Sequence, residues 1–135
     1  TYLRENGHEY GATTGRPRRC GWLDLVALKY AIMINGATQL FMTKADVLSN
    51  LDTINVCTGY WLQKTLVDQL PYDMGMITRP DFVSMKGWNR DISNISSKSE
   101  MPAALTDFIN FIEKETGLPV TLVSLGPDRR QIIFR

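Results

Sequence analysis

The chain has 135 residues, 44% of them apolar and 21% charged, which is enough length to bury a core and an ordinary balance for one globular domain. Fifteen Lys and Arg against fourteen Asp and Glu leave a net charge of +1, so partners selected by bulk charge, nucleic acid and membrane surfaces alike, are not expected. Cys20 and Cys57 fit no zinc spacing and no secreted disulfide framework, and no segment reads as a signal peptide or transmembrane span. A reduced, cytoplasmic setting is the expectation, with a Cys20–Cys57 bridge left open.

Taken in order, Thr1 to Gly11 has no sustained period and reads as a polar lead-in. The stretch Tyr10 to Gly21 follows, rich in small residues, hydroxyls and arginine and without an acid. Gly21 to Asn35 is apolar almost all round, interrupted by Asp24 and Lys29, which predicts a helix buried between other layers. Asn35-Gly36 stops it. Gln39 to Thr43 reads as a short buried strand, Val47 to Leu51 as a helical turn, and Thr53 to Leu62 as a second strand. Helix followed by strand at this spacing suggests an αβ unit of a layered sheet.

Between Gln63 and Ser99 the signals weaken, and one strand is read near Asp81 to Met85, with loops packing Trp61 and Trp88 on the core. Pro102 then suits the first turn of a helix whose Leu105, Phe108, Ile109 and Ile112 recur at i, i+3, i+4 and i+7. Asp107, Asn110, Glu113 and Lys114 mark the opposite face, and Gly117 and Pro119 close the helix. Val120 to Leu125 and Gln131 to Phe134 predict two strands joined through Gly126-Pro127-Asp128, a hairpin. The fold class that follows is mixed α/β (α+β), one domain over residues 1–135, with a buried helix near the N-terminus and an amphipathic one near the C-terminus.

Three stretches carry possible chemistry. In Gly11-Ala12-Thr13-Thr14-Gly15-Arg16-Pro17-Arg18-Arg19, small residues admit a ligand close to the backbone, hydroxyls and amides donate, and guanidinium forks suit carboxylate or phosphate. The competing reading is a basic surface turn. Thr43-Lys44-Ala45-Asp46 ends an apolar strand, where α/β sheets tend to bind ligands, and a carboxylate there can accept from N1–H and the 2-amino group of guanine. Its alternative is a helix N-cap at Asp46 beside a solvated lysine. Ser124-Leu125-Gly126-Pro127-Asp128-Arg129 can aim backbone N–H groups at a carbonyl oxygen such as guanine O6, or be a plain turn between strands. His8 is the one histidine, so no histidine pair exists for a metal. No Walker-type loop and no nucleophile stand out.

Together these residues resemble the C-terminal part of the adenylosuccinate synthetase family. Gly11 to Trp22 is similar to its signature loop, Thr43 to Leu48 to its guanine-recognition segment, and Gly117-Leu118-Pro119 with Ser124 to Arg129 to its terminal portion. Pro17 stands where the family also accepts a basic residue, and Thr43 where GTPases carry asparagine. The resemblance implies a ligase that couples IMP and L-aspartate through a 6-phosphoryl-IMP intermediate, hydrolysing GTP with Mg²⁺ in AMP (purine) biosynthesis. It implies that Ala12, Thr13, Thr14, Gly15, Arg16, Pro17 and Arg18 form an aspartate loop. Arg16 would contact aspartate and the IMP ribose, and Arg18 would link aspartate to GTP. Lys44, Ala45 and Asp46 would read guanine, with Ser124, Leu125 and Gly126 completing that pocket.

The family's Gly-Asp-Glu-Gly-Lys-Gly-Lys loop does not occur in these residues. The resemblance places the phosphate cradle, the base, the histidine and the Mg²⁺ contacts in that missing region, so no catalytic residue and no metal ligand is assigned here. With the start at Thr1, this gives the expectation of an excised C-terminal domain, inactive alone, of an enzyme expected to be a homodimer. A stand-alone guanine-nucleotide module and an RNA contact through Gly15 to Arg19 are the competing functions. The second is disfavoured by the balanced charge and the lack of interleaved aromatics.

Overall fold

The computed structural model describes residues 2–135; Thr1, the first residue of the expected lead-in, lies outside them. The lead-in is not featureless: Tyr2–Asn6 forms a one-turn helix, α1, whose end is tied by Gly7 N–H donating to the Leu3 carbonyl at 3.0 Å. The apolar run splits in two. Leu23–Asp24 is a short strand, β1, and Leu25–Asn35 is helix α2, with Asp24 as N-cap accepting from Ala27 N–H. Gly36 ends α2 in the left-handed region at φ 60°, as a stop residue should.

The expectation that this helix is buried all round is corrected. Its first turn is buried through Leu25 and Val26, but Tyr30, Met33 and Ile34 are exposed, the last two by 69% and 62%. Apolarity on every side hid the facing direction, because no polar stripe marks a solvent side.

Two sheets organise the rest. In the first, β3 (Thr53–Leu62) pairs antiparallel along its length with β5 (Ile77–Lys86). The other edge of β3 takes β1 in parallel and then β4 (Thr65–Val67) antiparallel. The expected strand at Asp81 to Met85 is the second half of a ten-residue one. Pro80 lies inside this strand, a position that an edge strand tolerates, and β5 pairs only with β3. β4 was not foreseen.

In the second sheet, β2 (Leu40–Met42) runs parallel to β6 (Val120–Ser124), and β7 (Ile132–Phe134) completes the expected hairpin antiparallel to β6. β2 is not the buried strand expected, since Phe41 is exposed by 61%. A single 3-10 turn, Ala45–Leu48, follows β2 in place of a turn starting at Val47.

Helix α3 (Ala103–Thr116) lies between these sheets in the packing sense. Leu105, Phe108, Ile109 and Ile112 are each at most 4% exposed, the stripe that the spacing predicts. They join one core with Ile54 and Val56 of β3 and with Val120, Val123 and Ile133 of the hairpin. Trp88 is buried in the same cluster against Phe108, as the expected packing on the core requires. Glu113 locks the helix to the second sheet, accepting from Val120 N–H and from Arg135 Nη1, both at 2.8 Å. The two thiols are free, Cys20 exposed and Cys57 buried, which closes the question of a bridge.

Candidate functional site

The loop at residues 11–18 is held shut by its own backbone. Tyr10 and Pro17 form an isolated antiparallel bridge, Gly11 N–H donates to the Arg16 carbonyl at 2.8 Å, and Gly15 N–H to the Gly11 carbonyl at 2.8 Å. Thr14 Oγ1 accepts from Arg16 N–H at 3.3 Å. Ala12, Thr13, Thr14, Gly15, Arg16, Pro17 and Arg18 are all exposed, so the loop presents its hydroxyls and guanidiniums to solvent. Among the described residues Arg16 and Arg19 have no ion-pair partner, while Arg18 does.

The second and third stretches meet. Parallel strands β2 and β6 are neighbours with Met42 opposite Val123, so Thr43 to Asp46 and Ser124 to Gly126 leave the same end of the same sheet, its carboxyl end. Lys44 caps the 3-10 turn in the left-handed region at φ 59°, which rules out the plain N-cap reading of Asp46. Asp46 sits within that turn, and its Oδ1 is buried with no hydrogen-bond partner among the described residues. A carboxylate oxygen without a donor in a sheltered spot is costly unless something else supplies one. Ala45 and Leu125 are buried at 2% and 0% and anchor the two corners. Leu125 N–H is already taken by the Gln131 carbonyl, and Ser124 Oγ donates to the Gly126 carbonyl at 3.0 Å.

What joins the loop to this corner is Glu9, a residue that the sequence reading left in the lead-in. One carboxylate oxygen accepts from Arg18 Nη1 at 2.9 Å and the other pairs with Lys44 Nζ. Lys44 Nζ also donates to the Gly7 carbonyl at 2.7 Å. Arg18 N–H donates to the Glu9 carbonyl and Arg4 Nε to the Arg18 carbonyl, so the α1 segment grips both partners. The Lys44 ammonium, and then the Arg18 guanidinium, hold the Glu9 carboxyl below its usual range. A cavity of about 340 Å³ opens at this junction, walled by Glu9, Arg18, Arg19 and Lys44 over apolar Ile54 and Phe108.

Asp24, Asp52 and Asp73 do structural work. Asp24 caps α2 and accepts from Tyr60 Oη; burial first, and then Asp24, push the Tyr60 phenol upward. Burial likewise raises the Cys57 thiol. Asp52 accepts from Asn89 Nδ2, and Asp73 caps the turn at Met74–Met76. Among the described residues there is no group of three or more His, Cys, Asp or Glu that could hold a metal ion. No helix of the described residues is long and apolar enough to cross a membrane.

Comparison with known proteins bears on the family and the fold. The family model described as adenylosuccinate synthetase matches residues 1–133. The adenylosuccinate synthetase of Cytophaga hutchinsonii is 53% identical over 98% of this chain and 31% of its own length. That of Flavobacterium psychrophilum is 50% identical over 100% of this chain and 32% of its own. The structure of fully ligated adenylosuccinate synthetase from Plasmodium falciparum superposes with a TM-score of 0.93 at 38% identity, covering 99% of this chain and 33% of that one. The chain thus spans about a third of the length of the curated relatives it matches.

Proposed function

The chain belongs to the adenylosuccinate synthetase family, and on that premise we propose that residues 1–135 form a single C-terminal domain of a GTP-dependent ligase. That ligase joins IMP to L-aspartate and releases adenylosuccinate, GDP and phosphate. The observation that carries the reading is the convergence of Lys44–Asp46 with Ser124–Gly126 at one sheet end, beside an arginine loop tied to Lys44 through Glu9.

In this reading Ala12 to Arg18 receive aspartate. Thr13, Thr14 and nearby amides donate to its carboxylates, and Arg16 pairs with a carboxylate in the bidentate way that fixes where the amine points. Arg18 stands between that loop and the nucleotide. Asp46 supplies the acceptor for guanine N1–H and the 2-amino group, a donor pair that adenine lacks, and its orphaned Oδ1 supports this role. Lys44 lays its stem along the base. Ser124 and Gly126 complete the pocket, with Ala45 and Leu125 holding its corners from the core.

Mg²⁺, the phosphate cradle and the groups that handle protons belong to the rest of the enzyme, which in this reading is a cytoplasmic homodimer. The test is an adenylosuccinate assay with IMP, aspartate and GTP, run on the full-length protein and on the 135-residue chain. Product from the full-length protein, dependent on all three substrates, and none from the chain alone is the expected outcome. Product from the chain alone would overturn the division of labour, and no product from the full-length protein would overturn the activity.

A further inference from the structure

We propose that Glu9 is a positioning residue that couples the aspartate loop to the guanine segment, so that the two substrate sites are assembled together. The proposal rests on the functional reading above and adds a residue to which that reading gives no role. Arg18 and Lys44 are both cations and lie 26 positions apart in the chain. Side by side in water they repel, and nothing in their own loops brings them together. The Glu9 carboxylate does so by using one oxygen for each.

An isolated surface ion pair contributes little, and by itself this contact would be unremarked. Three features set it apart. The carboxylate is the sheltered member, its side chain 23% exposed against 58% for Arg18 and 53% for Lys44. The same short segment binds both partners through its backbone, Gly7 accepting from Lys44 and Glu9 accepting from Arg18 N–H. Lys44 caps the 45–48 turn in a left-handed conformation, and its ammonium is held by Gly7 and Glu9 just past α1, two residues from Asp46 in the chain. Moving either cation therefore disturbs the carboxylate that orients the other. Glu9 touches no substrate in this arrangement; it acts through Arg18 and Lys44.

The experiment is steady-state kinetics of the full-length enzyme with Glu9→Gln, which keeps the shape and removes the charge. We expect the KM for L-aspartate and the KM for GTP to rise together, each about fivefold or more, with a smaller change in kcat and no change in the KM for IMP. Glu9→Asp, which keeps the charge on a shorter stem, should recover part of both rises together. That variant also keeps the test available if Glu9→Gln folds poorly. A rise confined to one of the two substrates, or in neither, with an active wild type would overturn the coupling and leave the functional reading standing. A full-length wild type that forms no adenylosuccinate would overturn the functional reading and the coupling with it.

Discussion

At the scale of one residue, the proposed function puts nucleotide choice on Asp46. Its buried oxygen is an acceptor without a donor, and guanine brings two donors to one carboxylate. Asp46→Asn exchanges one acceptor for a donor, which suits xanthine, with a carbonyl where guanine has its amino group. The ratio of kcat/KM for xanthosine triphosphate to that for GTP is expected to rise at least about tenfold in the full-length variant. An unchanged ratio would remove Asp46 from base recognition. Glu9 makes a second residue-scale prediction, with a sign. Its carboxyl lies below the ordinary value of 4.5 because the folded chain favours the charged form, through Lys44 first and Arg18 second. The linkage it provides is therefore fully present above the unfolded value and lost as pH falls through the lowered one. A carbon-detected NMR titration should place the Glu9 midpoint below 4.5; a midpoint at or above it would mean that the pairings do not persist in solution.

At the scale of elements, the joints matter more than the lengths. Two glycines separate two kinds of cost. Gly36 closes α2 at φ 60° with open space around it, so Gly36→Ala pays only backbone strain, about 1 kcal/mol. Gly87 has ordinary backbone, but a Cβ there would sit 1.7 Å from the Leu51 carbonyl oxygen, so Gly87→Ala must move backbone and is expected to cost about 3 kcal/mol or more. Thermal melts of the two variants beside wild type test the ranking, and equal shifts would contradict it. Glu113 binds α3 to β6 and to Arg135, whose side chain is only 8% exposed. Glu113→Ala leaves that guanidinium with a buried shortfall, and a loss of about 3 kcal/mol should appear in the same melts.

These joints also mark the limit of what the sequence discloses. The stripe of α3, strand β3 and the β6–β7 hairpin are local patterns, each readable from spacing and turn residues within its own window. Pro80 and the apolar run before Gly36 misled because their meaning depends on what lies alongside: an open strand edge in one case, a solvent-facing side in the other. The arginine loop and the Lys44 segment were legible as motifs. Glu9 was not, because its partner Lys44 is 35 residues away and only the packing of α1 beside the 45–48 turn brings the carboxylate to it.

Across the whole molecule, the sheet that carries Lys44–Asp46 and Ser124–Gly126 at one end has two unlike faces. Val123 and Ile133 point into the core, whereas Phe41, Leu122 and Phe134 are in register across β2, β6 and β7 on the other face, with Phe134 exposed by 76%. Met33 and Ile34 at the end of α2 add further exposed apolar surface. Surface of this kind is common where another layer packs, and the chain spans about a third of the relatives it matches. The proposed function thus divides recognition from chemistry: in that reading aspartate and guanine are read by these residues, and phosphoryl transfer belongs to the rest of the enzyme. The most direct test is the KM for L-aspartate in the full-length enzyme with Arg16→Ala. Loss of a charge-assisted, bidentate contact to a carboxylate should raise it about a hundredfold while the KM for GTP stays within about twofold; an aspartate KM equal to that of the wild type would contradict the assignment of this loop.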